Sequence, residues 1–254
     1  MTDQFILTPY FLDRPEDGLR PLLQPDWQIN DPSLPVGSPQ ERMVVLYRLL
    51  AERVATAVSH NQRPVSIAGD CCTTIGVLAG LEQAGIRPTL IWFDAHGDFN
   101  TWETTPSGFL GGMPLAMAVG RGEQTIVQGV GLIPLPEEQV ILMDGRDLDA
   151  DEQEAVRTSN ITHLPGVADL LTYPLPDGPL YVHFDTDVID PGDAPAMNYL
   201  AANGPTLETL RQALRHLAVT GRVVAVSLSS WNPEMDGDGR SRRMAMDLLQ
   251  ELLQ

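Results

Sequence analysis

Three side chains that bind divalent metals stand at alternate positions directly after an apolar run. Asp94, His96 and Asp98 follow the apolar residues 91–93. Alternate side chains of an extended chain point to the same face, so this spacing predicts a strand end that presents three ligands to one side. Carboxylate and imidazole groups are ligands of divalent cations such as manganese. The run therefore predicts a metal site at the end of a buried strand.

A second run repeats this arrangement further along the chain. The residues 181–184 precede Asp185 and Asp187, and Asp190-Pro191 follows. Two cations a few ångströms apart need carboxylates that bridge them, and two strand ends that carry aspartates supply such carboxylates. We therefore expect one centre that holds more than one divalent cation.

The elements that must position these residues alternate between strand and helix. The apolar patterns predict strands at residues 5–8, 65–68, 89–93, 125–129, 140–143, 161, 180–184 and 223–228, and helices from Ser38 to before Pro64, at 74–83, 150–158, 207–217 and from Ser241. Residues 9–39 are rich in proline and predict an irregular surface segment. Such alternation predicts an α/β fold, a parallel sheet with helices on both faces. Sites in this fold gather at the carboxyl ends of strands, where both aspartate runs lie.

Length and charge limit the classes of function. A chain of 254 residues favours one domain, residues 1–254. The formal net charge of −18 repels phosphate backbones and anionic lipid, which argues against nucleic-acid and membrane partners. The charge either steers cationic substrates or is an ordinary solvated acidic surface.

The cysteines and the hydropathy pattern indicate a reducing compartment. Cys71 and Cys72 are adjacent, and neighbours in sequence rarely have the geometry of a disulfide. No signal sequence precedes the first strand, and no window approaches the roughly 18 apolar residues of a membrane span. We expect a cytoplasmic protein.

The two aspartate runs resemble those of the ureohydrolase family, which includes arginases and agmatinases. The family pattern Asp-Ala-His-x-Asp matches residues 94–98, and Phe-Asp-x-Asp-x-x-Asp-Pro matches residues 184–191. The resemblance covers most of the chain after residue 65, and the motifs are most similar to those of arginase and Nω-hydroxy-L-arginine amidinohydrolase. It implies a three-layer arginase-like fold and a centre with two Mn²⁺ ions.

The resemblance also implies how the ligands are shared. Asp94 and Asp185 would bridge the two manganese ions. His96 and Asp187 would complete one ion, and Asp98 would belong to the other. Asp98 would in addition accept hydrogen bonds from the bridging hydroxide and pass a proton to the leaving group.

The remaining family ligand is a histidine, and Cys71 occupies its position in the run 68–72. A thiolate is a softer ligand, so this metal position would bind more weakly or shift from manganese toward zinc, iron or cobalt. Alternatively, both cysteines are small buried residues at a helix start and the first metal position is depleted.

The segment after the first aspartate run resembles the substrate loop of arginases. By that resemblance, Asn100, Thr105 and Ser107 would hold a substrate α-carboxylate, and Asp149 would meet the α-amino group with Glu152 as a helper. Alternatively, Thr105 and Ser107 make ordinary turn hydrogen bonds and Asp149 is a helix N-cap. Together these residues favour a guanidino amino acid over agmatine.

Two further positions depart from the family pattern. Gly111 stands where the family has its catalytic histidine, and Ser230 stands where a glutamate pairs with the guanidinium group. Loss of a carboxylate opposite a cation weakens binding, so arginine becomes a poorer candidate. Nω-hydroxyarginine is less basic and suits such a site better.

His183 is a candidate for the missing proton chemistry, because strand alternation places it on the same face as Asp185. It is two residues deeper in the sheet, so it is alternatively a core histidine that supports the ligands. His60, His163 and His216 have no polar cluster around them and are expected at the surface or at helix ends.

These features together predict a binuclear-manganese hydrolase that cleaves a guanidino C–N bond and releases urea or a substituted urea. Its partner would be a small-molecule guanidino amino acid. The alternative is a degenerate family protein that binds metal or an amino acid with little or no catalysis. Trimers and hexamers are common in the family, so a homo-oligomer is possible.

Overall fold

The computed structural model describes Met1–Gln254 and contains a parallel sheet of eight strands. The chain has ten strands in all, of which β2 and β3 lie outside this sheet. They are β1 (Thr2–Thr8), β2 (Tyr10–Phe11), β3 (Arg14–Pro15), β4 (Gln28–Ile29), β5 (Gln62–Ala68), β6 (Thr89–Asp94), β7 (Val140–Asp144), β8 (Thr162–Leu164), β9 (Leu180–Asp185) and β10 (Val223–Ser229). The α-helices are α1 (Pro39–Ser59), α2 (Thr74–Gln83), α3 (Pro114–Ala118), α4 (Thr125–Val130), α5 (Ala150–Thr158), α6 (Leu207–Ala218) and α7 (Arg240–Leu252).

The strand order brings the functional strand ends together. The sheet runs β4-β1-β5-β10-β9-β6-β7-β8, and all its pairs are parallel, whereas β2 and β3 form a separate antiparallel pair. The middle of the sheet is therefore β5, β10, β9 and β6. In the register of these strands, Ser229 pairs with Asp185, and His183 pairs with both Ser227 and Trp92. Both aspartate runs consequently lie together at the carboxyl ends of the central strands.

Two hydrophobic cores lie on the two faces of the sheet. Along β6, Leu90 and Trp92 belong to one core, while Ile91 and Phe93 belong to the other, as strand alternation requires. The first core contains buried residues of α1–α5, and the second contains those of α6 and α7. This three-layer arrangement confirms the predicted α/β class with helices on both faces.

Helix α1 shows how local sequence sets these elements. The Ser38 hydroxyl accepts from the backbone N–H of Glu41 at 3.2 Å, and Glu41 Oε2 accepts from the Ser38 N–H at 2.8 Å. This reciprocal capping box and Pro39 at the first helical position define the start. The helix has 21 residues, yet neither it nor any other helix is long and apolar enough to cross a membrane.

The predicted strand at residues 125–129 is wrong, because this segment forms helix α4. Ile and Val favour strands, but here Ile126, Val127 and Val130 are buried in the core that α1 shares. A Cβ on Gly129 would lie 2.3 Å from Val44 Cγ2 of α1, so the two helices approach closely at this glycine. Tertiary packing has overridden the local propensity.

The segment 9–39 is also more ordered than predicted. It contains β2, β3 and β4, and β4 adds an edge strand to the sheet by pairing with β1. Leu19 and Leu22, in a 3₁₀ turn at Asp17–Leu22, are buried in the second core. The prolines made the segment look irregular, but its apolar side chains pack against the sheet.

Removal of the cap on α1 gives a test of the fold. Ser38→Ala is expected to lower the free energy of unfolding by about 1 kcal/mol, because one amide at the helix start loses its acceptor. Urea denaturation measures this change. Ser33→Ala, at an exposed serine outside any helix, is the matched control. An equal loss in both variants would contradict the capping role.

Candidate metal and substrate site

Three strands carry the candidate metal ligands to one place, and a fourth strand between them leads into Ser230. Strand β5 leads into Asp70 and Cys71, β6 ends at Asp94, β9 ends at Asp185, and β10 leads into Ser230. Because these strands are adjacent and parallel, their carboxyl ends meet.

The turn after β5 fixes the position of Cys71. Asp70 Oδ1 accepts from the N–H of Cys72 at 2.9 Å, and Asp70 Oδ2 accepts from the N–H of Leu12 at 2.7 Å. Both cysteines are buried and free of disulfide, as expected. The Cys72 Sγ lies 3.9 Å from the carbonyl of Leu110 and belongs to none of the donor groups described below. Only Cys71 is placed to act as a ligand.

Two groups of donors share one aspartate. One donor atom each from Cys71, Asp94 and Asp98 lie within 4.8 Å of one another, and so do donor atoms of Asp94, His96 and Asp187. In the second group, His96 Nδ1 is 3.0 Å from Asp187 Oδ2 and 3.3 Å from Asp94 Oδ1. Asp94 therefore belongs to two candidate donor groups, and the bridging role that the family resemblance implies for it stays a prediction.

A third group joins Asp185 to the same centre. Its Oδ2 is 2.6 Å from Cys71 Sγ and 2.5 Å from the Ser230 hydroxyl, and its Oδ1 accepts from the N–H of Asp187 at 2.8 Å. A ring nitrogen of His183 completes a cluster with Cys71 and Asp185, again within 4.8 Å. The structure thus brings all the predicted metal ligands together; their assignment to individual ions stays a prediction.

The carboxylates are buried and repel one another. Burial, and then the charges of Asp94 and Asp185, raise the pKa of Asp98 well above its usual value. Burial and the charge of Asp94 raise the pKa of Asp187 to about 6. Burial lowers the pKa of His96, but the Asp187 and Asp94 carboxylates outweigh it and raise the pKa to about 12.

This donor set fits divalent cations. Clustered, buried carboxylates with raised pKa values are destabilised as anions, and a cation among them reverses the sign of the local field. The group of Asp94, His96 and Asp187 offers only oxygen and nitrogen, which suits manganese. The group of Cys71, Asp94 and Asp98 adds a sulfur, which suits a softer ion.

The backbone between Asp94 and Asp98 leaves the extended conformation. Strand β6 ends at Asp94, and Asp98 has a φ of +49°, so simple alternation does not extend to Asp98. A Cβ on Gly97 would lie 2.7 Å from Glu152 Oε1, so any larger residue here would displace the Glu152 side chain. The loop therefore reaches its position by a close approach to that helix.

A cavity of about 410 Å³ opens onto this cluster. The predicted site residues that line it are Cys71, His96, Asp98, Asn100, Thr105, Ser107, Asp149, Glu152, Asp185 and Asp187. Asp94 and His183 are almost fully buried and do not reach the lining. Its size suits a small-molecule ligand.

Asn100 and Asp149 form a pair at the cavity. Asn100 Nδ2 donates to Asp149 Oδ2 at 3.0 Å, and Asn100 Oδ1 accepts from the Thr104 hydroxyl at 3.0 Å. Asp149 is also the N-cap residue of α5, which confirms the capping alternative, whereas its contact with a substrate α-amino group stays a prediction. Glu152 Oε1 accepts from the N–H of Phe99 at 2.8 Å, and Oε2 accepts from the N–H of Asp149 at 3.2 Å. Glu152 thus ties the backbone at Phe99 to the start of α5. Burial raises the pKa of Glu152 to about 7.

Thr105 and Ser107 make the turn contacts that the sequence left open as an alternative. Their hydroxyls are 3.3 Å apart, and they accept from the N–H groups of Gly108 and Phe109 at 3.1 and 3.2 Å respectively. Both residues nevertheless line the cavity mouth. Their contact with a substrate carboxylate stays a prediction.

An aromatic ring fills the space beside Gly111. A Cβ built on Gly111 would lie 2.3 Å from Phe109 Cζ, so this ring occupies the direction that a side chain at residue 111 would take. Phe109 stacks on Phe11, with ring centroids 6.2 Å apart, and lies 5.3 Å from the ring of Tyr199. The cavity therefore has an aromatic wall where the family pattern places a histidine.

Sequence reasoning missed this wall. Phe11 lies in the segment taken as irregular, and Tyr199 lies in a segment without helical or strand periodicity. Phe109 falls inside the substrate loop, but nothing in its spacing indicates that its ring turns inward. The three rings converge only through tertiary structure, so no local pattern could have found them.

The other histidines lie away from the cluster. His60 is exposed at the end of α1, and His216 lies near the end of α6, as expected. His163 is on β8, with its Nε2 2.7 Å from the carbonyl of Asp144. His183 is fully buried in β9 and does not line the cavity.

Arg146 braces the walls of the site. Its guanidinium pairs with Asp144 and donates to the carbonyls of Asp187 at 3.1 Å, Val188 at 3.2 Å and Ala201 at 2.8 Å. One side chain thereby ties the end of β7 to the loop after β9. These contacts explain why residue 146, three positions before Asp149, is an arginine.

Comparisons with known proteins agree with this geometry. A family model described as the Arginase family matches residues 18–254. Arginase from Bacillus subtilis (strain 168) is 29% identical over 216 residues, which cover 80% of this chain and 73% of that protein. The N(omega)-hydroxy-L-arginine amidinohydrolase of Streptomyces lavendulae is 28% identical over 216 residues, covering 84% and 76%.

The fold agrees as well. The crystal structure of arginase from Bacillus subtilis matches with a TM-score of 0.84 at 25% identity, over 100% of this chain and 98% of that chain. The formimidoylglutamase of Bacillus subtilis subsp. subtilis str. 168 shares the fold at 16% identity, with a TM-score of 0.78. Because the family model covers nearly the whole chain, this protein belongs to the arginase family.

Proposed function

We propose that this arginase-family protein uses two Mn²⁺ ions to hydrolyse a guanidino C–N bond in an arginine-like amino acid, with Nω-hydroxyarginine preferred to arginine. The products are ornithine and hydroxyurea from that substrate, or urea from arginine. The observation that carries the proposal is the position of the ligand clusters at the floor of a cavity whose rim carries Asn100, Thr105, Ser107 and Asp149.

Cys71, Asp94, His96, Asp98, Asp185 and Asp187 would hold the two ions. When bound, such ions supply a hydroxide nucleophile at neutral pH, because coordinated water loses its proton more readily than bulk water. The sulfur of Cys71 admits zinc, iron or cobalt in one of the two positions.

Asp98 is the residue of this chain best placed to move the proton. It lines the cavity floor beside Cys71 and Asp94, so its carboxylate faces the space that a substrate would occupy. A carboxyl oxygen of Asp98 would take the proton released at the nucleophile and deliver it to the nitrogen that leaves.

The rim would orient the amino-acid end of the substrate. Asp149 is an anion that faces the cavity and suits an α-ammonium group. Thr105 and Ser107 offer neutral hydroxyls that suit an α-carboxylate, since an anionic carboxylate needs donors without added negative charge. These roles support a guanidino amino acid over its decarboxylated analogue.

The guanidino end explains the preference for the hydroxylated substrate. The Ser230 hydroxyl donates to Asp185, and Ser230 has no charge to pair with a cationic guanidinium. The Phe109 ring fills the space beside Gly111, where the family pattern places a histidine. An N-hydroxyguanidine is less basic than a guanidine, and its leaving group needs less protonation. It therefore depends less on the two groups that this chain lacks.

The same two positions support the second candidate, a family member that binds metal or an amino acid with little or no catalysis. Gly111 removes the usual proton donor, and Ser230 removes the usual counter-charge. Turnover on a panel of substrates separates the two candidates.

The first test measures that turnover. Purified protein loaded with manganese, cobalt or zinc is expected to release hydroxyurea from Nω-hydroxyarginine faster than urea from arginine, agmatine or guanidino acids. Asp98→Asn should lower kcat at least about 100-fold, because it removes the proton acceptor. No product from any substrate, from folded protein that binds two ions, would establish the non-catalytic alternative.

The second test concerns the α-amino group. Asp149→Asn is expected to lower kcat/KM for the amino acid about tenfold or more, since a hydrogen bond to a charged group contributes about 1.5–3 kcal/mol. The des-amino analogue, 5-guanidinopentanoic acid, is the control substrate and should be little affected. Asparagine keeps the N-cap of α5, so an equal loss on both substrates would contradict the role of Asp149.

The third test restores the counter-charge. Ser230→Glu should raise kcat/KM for arginine relative to Nω-hydroxyarginine by about tenfold, because the guanidinium regains an anionic partner. Ser230→Gln has nearly the same shape without the charge and serves as the matched control. If both variants changed the ratio equally, size and not charge would decide the preference.

A further inference from the structure

His183 has an unusual environment for a histidine in the core of a sheet. It is fully buried in the middle of β9, between Trp92 of β6 and Ser227 of β10. The rings of His183 and Trp92 lie 4.0 Å apart between centroids. An apolar residue would pack here without the need to satisfy two ring nitrogens.

One ring nitrogen is held by hydroxyl groups. His183 Nδ1 is 2.7 Å from Ser227 Oγ and 3.1 Å from Thr74 Oγ1. Ser227 Oγ is in turn 2.7 Å from the hydroxyl of Tyr181. The two contacts to the ring come from strand β10 and helix α2, so they hold Nδ1 from two directions.

The other ring nitrogen has no partner. His183 Nε2 is buried and makes no hydrogen bond, which is uncommon for a polar atom in a protein core. When Nδ1 donates its hydrogen to Ser227, Nε2 carries a free lone pair. Metal-binding histidines show this arrangement, in which one nitrogen binds the ion and the other donates to a neighbouring oxygen.

The candidate cation position lies directly beside this ring. One ring nitrogen of His183, Cys71 Sγ and a carboxylate oxygen of Asp185 lie within 4.8 Å of one another. Bonds of about 2.0–2.3 Å place the ligands of one ion at most about 4.5 Å apart, so these three donors are near the span that a single ion requires.

We propose that His183 is a ligand of the ion held by Cys71 and Asp185, and that this position therefore selects a borderline cation such as zinc or cobalt. The imidazole that the family pattern places at residue 71 would be supplied instead from β9. This inference rests on the proposed binuclear centre, but it concerns metal binding and not turnover. A nitrogen and a sulfur donor in one position favour softer ions over manganese.

Cobalt titration of the whole protein tests the proposal without any substrate. Wild type is expected to bind two Co²⁺ ions, one of them with a thiolate-to-cobalt charge-transfer band that Cys71→Ser removes. His183→Asn keeps a polar group toward Ser227 but offers nothing at Nε2. It should weaken the thiolate-bound ion at least tenfold and change its absorption bands, whereas the other ion binds as before. His60→Asn, at an exposed histidine, is the matched control.

An unchanged affinity and spectrum in His183→Asn would overturn the proposal. A measurement on the wild type covers the case in which that variant does not fold. The chain has five histidines, and with ¹⁵N-labelled histidine the addition of two equivalents of zinc should shift the nitrogen resonances of two imidazoles, His96 and His183. A shift of only one imidazole would exclude His183 as a ligand. Absence of turnover with normal binding of both ions would contradict the proposed function alone.

Discussion

The carboxylates of Asp94, Asp98, Asp185 and Asp187 are buried beside one another at one edge of the sheet. Because water screens these buried charges little, the carboxylates repel one another strongly and also attract cations strongly. The topology makes this crowding unavoidable, because β6 and β9 are parallel neighbours whose last residues face the same edge. The surrounding hydrogen bonds hold these negative groups in place while a cation is bound.

The clustering of the four aspartates was predictable because the rules that place them are local. An apolar run followed by alternate aspartates indicates a strand end, and parallel neighbours bring such ends together. The helix at Thr125–Val130 was not predictable in this way, since contact with α1 decided its conformation against the propensity of its residues. The inward ring of Phe109 depends on three distant segments, so no single stretch of sequence contained it.

The three departures from the family pattern are each matched by a neighbour in the structure. The phenyl ring of Phe109 fills the space beside Gly111, and the hydroxyl of Ser230 binds Asp185. Beside Cys71 lies the buried imidazole of His183. At each of the three positions a neighbouring side chain therefore takes up the space or the contact that the substituted residue leaves.

The contact between Gly111 and Phe109 also limits which side chains residue 111 can carry. A histidine at residue 111 would have its Cβ 2.3 Å from the phenyl ring, so it would not fit unless that ring moved. The ring in turn packs between Phe11 and Tyr199, which limits where it can go. A side chain at residue 111 therefore requires the Phe109 ring to turn away from the cavity wall. The identity of residue 111 and the orientation of a ring two positions earlier are thus coupled.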